Sequence, residues 1–93
     1  MNKYMFLHVG FENPTPEMME KWKAWFEIIA DRQIEQGGFS NGREIRANGA
    51  RDLPRDKEAI TGYNIIEAGS MDEAEKLALG NPFVTSIRIY EIR

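Results

Sequence analysis

Cysteine is absent from this 93-residue chain, and histidine occurs once, at His8. The first absence excludes disulfides, thiolate metal sites and a cysteine nucleophile. With a single imidazole, an all-protein zinc site would have to rest mostly on carboxylates, which is uncommon, so neither metal nor cofactor is expected. Positive charge is not in excess: 12 Lys and Arg stand against 15 Asp and Glu, a net charge of −3. Nucleic-acid binding rests on clustered basic residues that neutralise phosphates, so nucleic acid is not an expected partner. No apolar run approaches membrane-spanning length, and "MNKYMFLHVG" reaches Gly10 too early for a signal peptide. A cytoplasmic location away from membranes is the expectation. A short chain without disulfides or metal often gains its missing stability from a partner subunit, and oligomerisation is the support left open here.

What is present belongs to a folded protein: 42% of residues are hydrophobic and 29% charged. The length fits one domain over residues 1–93. Lys3 to Gly10 reads as a first strand. Thr15 is placed to cap a helix, with Pro16 at its first position and Glu17 and Glu20 near the positive end of the dipole. Met18, Met19, Trp22, Trp25, Phe26 and Ile29 then recur at helical spacing, and Gly37-Gly38 is the expected stop. "FSNGREIRA" reads as a half-exposed strand centred on Ile45 or as a turn, and residues 48–58 read as loop. "AITGYNIIEA" is rich in strand formers. Ser70 and Glu73 make a capping box for a short helix ending at Gly80, and "VTSIRIYEI" alternates as a last strand.

The order β-α-β-β-α-β implies an α+β, ferredoxin-like sandwich with both helices on one face of an antiparallel sheet. The first strand is apolar on both faces: either Met5, Leu7 and Val9 or Tyr4, Phe6 and His8 pack under the helices. Both faces therefore want cover, and one domain has helices for only one. A second copy packed sheet to sheet would supply the missing layer, giving a homodimer.

Taken in order, "KYMFL", "PEMMEKWKAWFEII", "GGF", "TGYNIIEAGSMDEAEKLA" and "NPF…IRIYEIR" resemble the YCII-related family, in particular its DGPF-type branch, over nearly the whole chain. The resemblance implies a dimeric α+β barrel built from ferredoxin-like protomers, and a loose class of small aromatic or chlorinated metabolites as substrates. The signature Asp-Gly-Pro-Phe survives only as "DLPR", with Asp52 and Pro54 matching and Leu53 and Arg55 departing from it. The His–Asp pair proposed as an active site in better-described relatives places its histidine on the first helix. That helix has none here, so the pair is not carried over.

The candidate chemistry is correspondingly sparse. His8 has the right titration range for a general acid or base, and is equally readable as a core or rim histidine. Trp22 and Trp25 can line an aromatic pocket or simply pack the core. Among the basic residues around the second strand, Arg46 is the candidate to fork onto a carboxylate, although alternating charge there also describes a solvated surface. Tyr63 and Tyr90 offer phenol groups from separate strands. Asn64, on an apolar strand, needs hydrogen-bond partners wherever it is buried. The functional expectation is a small-molecule-binding protein, cofactor-independent if it is an enzyme, acting on a small aromatic or lactone-like metabolite. His8 would then transfer a proton while Arg46 or Tyr63 orients the substrate. A non-catalytic binding or sensing domain, or a dimeric interaction module, are the alternatives.

Overall fold

The computed structural model describes all residues, Met1–Arg93. Its elements are β1 (Asn2–Val9), α1 (Pro16–Ile29), β2 (Gln33–Gly38), β3 (Gly42–Arg46), β4 (Gly49–Leu53), β5 (Ile60–Ala68), α2 (Met71–Ala78) and β6 (Ser86–Ile92). Four strands form an antiparallel sheet in the order β2-β5-β1-β6, and β3 pairs with β4 as a separate hairpin. Both helices lie on one face of the sheet. This is the ferredoxin-like α+β arrangement, with a hairpin inserted between its second and third sheet strands.

Local signals set both helix starts. The Thr15 hydroxyl accepts from the Met18 N–H at 3.1 Å with Pro16 leading the helix, and the Ser70 hydroxyl accepts from the Glu73 N–H at 3.1 Å. The expected end of the first helix at Gly37-Gly38 is wrong. α1 stops at Ile29, and Gln33–Gly38 runs as edge strand β2 against β5. Backbone bonds offered by β5 decide this, and no local pattern in "QIEQGG" announces them. Gly37 is a strand glycine for a steric reason: a Cβ there would come within 2.5 Å of the Tyr63 ring.

The segment expected to be the second strand is instead the first half of the hairpin. Residues 49–53, expected to be loop, are its second half. Ile45 is 81% exposed rather than half-buried. The hairpin stands off the main sheet, held by its own ladder and by the exposed ion pairs Arg43–Asp52, Arg46–Glu44 and Arg51–Glu44. Such pairs contribute little individually, so the backbone ladder is its principal tie.

The question of which face of β1 lies under the helices resolves in favour of the aromatics. Tyr4 and Phe6 join Trp25 and Ile29 of α1, Ile66 and Ala68 of β5, and Ala74 and Ala78 of α2 in the core. The small residues on α2 let that helix sit close to the sheet. Trp25 is fully buried, and its indole N–H donates to the Leu77 carbonyl at 2.8 Å, tying the two helices together. Met5 and Leu7 therefore face the other way, beside Tyr63, Ile65, Tyr90 and Ile92, on a sheet face no element of this chain covers. At the end of β1 a bulge between His8 and Val9 leads into Gly10. Its φ of +111° suits glycine, and a Cβ there would lie 2.5 Å from the Thr85 hydroxyl.

Candidate functional site

The helix-side surface of β2 and β5 is low where α1 passes over it, because the register sets Gly38 opposite Gly62 and Gly62 opposite His8. Two adjacent strands thus present bare backbone beneath the helix. The space is a cleft of about 460 Å³, bordered by Trp22 and Phe26 from α1, the glycines from the sheet, and His8, Gln36, Thr61 and Asn64. Gly62 has no latitude, since a Cβ would meet the Gly37 carbonyl at 2.8 Å. Gly38 does: the nearest atom to its Cβ position is the Thr61 carbonyl at 3.9 Å.

At the inner end of the cleft lies a polar chain of three residues. Nε2 of His8 and Oδ1 of Asn64 are 2.6 Å apart, and the Asn64 amide donates to the Gln33 side-chain carbonyl at 2.7 Å. An amide oxygen only accepts, so Nε2 carries the proton and Nδ1 the lone pair in the neutral ring. His8 is 7% exposed and Asn64 2% exposed, and Nδ1 has no partner within the chain. The imidazole meets Trp22 and Trp25 edge-on, with centroids 4.9 and 5.7 Å away. Burial pushes its pKa below the ordinary value of 6.5, and the bond to Asn64 offsets part of that shift. The ring is held neutral around pH 7, as a weak base flanked by aromatic surface.

Of the residues singled out from the sequence, His8, Trp22 and Asn64 meet at this cleft. Arg46 does not: it is on the hairpin, paired with Glu44 at 3.0 Å and largely exposed. Tyr63 borders the cleft with its backbone neighbours, but strand alternation turns its ring to the opposite sheet face. There the ring stacks with Phe39 at 5.5 Å and donates its hydroxyl to Glu35, a bond that raises the phenol pKa. Tyr90 is on that same outer face, opposite Met5 and 55% exposed. An orienting role for Arg46 or Tyr63 beside His8 therefore fails on geometry, and the phenols of Tyr63 and Tyr90 both belong to the outer face rather than to this cleft. Sequence reading missed Phe26, Gln33, Gln36, Gly38 and Gly62. The glycines were visible, but not that Gly38 and Gly62 pair across strands. No three His, Asp or Glu side chains converge closely enough to hold a metal ion. No helix is long and apolar enough to cross a membrane.

Comparison with solved structures shows a likeness of fold. The chain superposes on the 5-chloro-2-hydroxyhydroquinone dehydrochlorinase TftG of Burkholderia phenoliruptrix AC1100, solved in complex with 2,5-dihydroxybenzoquinone. The TM-score is 0.60 and the identity 14%, over 98% of this chain and 93% of that one. The likeness is one of fold. No protein-family model matches the chain, and no curated protein does.

Proposed function

We propose that this chain is a YCII-type small-molecule pocket protein whose ligand is a small planar aromatic or lactone-like compound held in the cleft under α1. The observation carrying this reading is the glycine-floored, tryptophan-walled cleft that ends on a buried imidazole. Pockets of this kind combine apolar surface with a few convergent polar groups. The ring bound by the structural neighbour is of the same size class, and the neighbour shares the fold. In an enzymatic form of this reading, His8 is the group that moves a proton without a cofactor, and Asn64 and Gln33 set its tautomer. In a sensing form, the same residues bind without reaction.

The test is an NMR titration of the His8 imidazole and the Trp22 indole against a panel of small hydroxylated aromatics and lactones. Saturable shifts in both are expected. Turnover of a bound compound that His8→Gln abolishes while affinity survives selects the enzyme; binding without turnover selects the sensor. If neither residue responds to any compound, the cleft is not a ligand site.

A second reading concerns assembly. Met5, Leu7, Ile65, Tyr63, Tyr90 and Ile92 form an uncovered sheet face, and a chain of this size has limited core of its own. A second copy packed on this face would complete a dimeric barrel. Sedimentation at micromolar concentration is expected to give a dimer, and Leu7→Glu, placing a charge at the centre of the face, a monomer. A wild-type monomer at high concentration would refute the dimer.

A further inference from the structure

The cleft's lining contains no charged side chain. Its polar side chains are the imidazole of His8 and the amides of Gln36 and Asn64, while the Thr61 hydroxyl donates to the His8 backbone carbonyl at 3.4 Å. The cations nearby in sequence or space are engaged elsewhere. Arg32 pairs with Glu73, Arg46 with Glu44, and Arg55 lies over the Phe11 ring while donating to the Phe39 and Ser40 carbonyls. Lys23 lines an adjoining groove that shares Trp22 and Phe26 with the cleft; it is not among the residues lining the cleft itself, and Glu27 shares its groove. An anion entering the cleft would shed water against Trp22 and Phe26 and find no counter-charge, which is the costly way to bury a charge. Amide groups suit the hydrogen bonds of an uncharged polar ring.

We propose that the cleft selects uncharged planar ligands and rejects carboxylates. This rests on the pocket reading above and narrows it by charge. It also removes the anion clamp expected of Arg46. The selecting elements are the aromatic wall, the uncharged polar end, and the glycine floor that fixes the height of the slot. Gly38 is the adjustable part of that floor. Its backbone accepts a side chain, and the register directs that side chain into the cleft, on the same face as Gly62 and His8.

The experiment compares near-isosteric pairs at pH 7.5: benzamide with benzoate, and 4-hydroxybenzamide with 4-hydroxybenzoate. Affinities are read by calorimetry and by the His8 and Trp22 resonances, on wild type and on Gly38→Val. Each amide is expected to bind at least about tenfold more tightly than its acid, a difference that one uncompensated buried charge readily exceeds. Gly38→Val, with an unchanged circular dichroism spectrum, is expected to lose amide binding by a similar factor or more. Benzoates binding as tightly as the amides would overturn the charge selectivity while leaving the pocket intact. Amides bound equally well by Gly38→Val would place the ligand outside the cleft and overturn the inference. Absence of binding by every compound would overturn both the inference and the pocket reading beneath it.

Discussion

Replacing Trp25 by alanine is expected to lower the free energy of unfolding by about 3–5 kcal/mol, the range for deleting a large buried aromatic. Trp25 is 0% exposed and joins β1, its own helix and α2 at once. Its ring lies 6.1 Å from Phe6 of the sheet, 5.7 Å from His8 at the cleft end and 5.7 Å from Trp22 on its own helix. Its N–H bonds the Leu77 carbonyl of α2. Alanine removes the volume, the aromatic edges and the inter-helix bond together, and the fixed strands below cannot collapse to fill the gap. Small domains are stable by only about 5–15 kcal/mol, so this change takes a large share of the total. Trp25→Phe keeps most of the packing and loses the donor, with an expected cost of about 1–3 kcal/mol. Urea denaturation at fixed protein concentration measures both. If the alanine variant loses less than the phenylalanine variant, Trp25 is not the residue joining the helices.

The second large effect is a pH dependence of stability traceable to one residue. His8 in the folded chain has a pKa below 6.5, because burial penalises the imidazolium more than the bond to Asn64 supports it. Between the folded value and the unfolded value of about 6.5, the unfolded chain binds the proton that the folded chain refuses. Stability therefore rises with pH through that window. It is fully present above about pH 6.5 and falls on acidification until the folded-state pKa is reached. The unpartnered Nδ1 acts in the same sense, since protonation would create a buried N–H with no acceptor. Denaturation midpoints of wild type are expected to drop between pH 7 and pH 5, and those of His8→Gln to stay flatter over the same range. Glu73 is separable from this. The Arg32 guanidinium holds its carboxyl below the ordinary 4.5, so its contribution is lost only at lower pH. Asn64→Leu leaves the His8 Nε2–H without its acceptor and is expected to cost about 1–3 kcal/mol at neutral pH. It also moves the imidazole titration further down by removing the one bond that raises it. A His8 resonance titrating at or above 6.5 in wild type would contradict the buried, neutral ring.

What could be read in the sequence is what depends on near neighbours. Thr15-Pro16 and Ser70 with Glu73 start their helices through bonds spanning three residues, so both starts stand in the structure where the sequence puts them. The alternation of β1, the β-branched run of β5 and the order of elements likewise sufficed for the ferredoxin-like class. Alternation also showed that β1 is apolar on both sides, but not which side meets the helices. Tertiary packing decided that, because Tyr4 and Phe6 reach Trp25 and Ile29. The same holds for Gln33–Gly38, which carries no strand pattern and becomes β2 because β5 offers a free edge. Residues 42–53 fold back on themselves because that edge is already occupied. The site is the extreme case. His8, Gln33, Gly38, Gly62 and Asn64 come from three strands, and only the register places the glycines in one floor and the imidazole at its end. Arg46 and Tyr63 were equally plausible on composition, yet a hairpin off the sheet and the two-residue period of a strand turn them elsewhere. Residue types and local spacing determined both helix starts and the strands β1, β5 and β6. Contacts between residues distant in the chain decided which of its polar groups share a cleft.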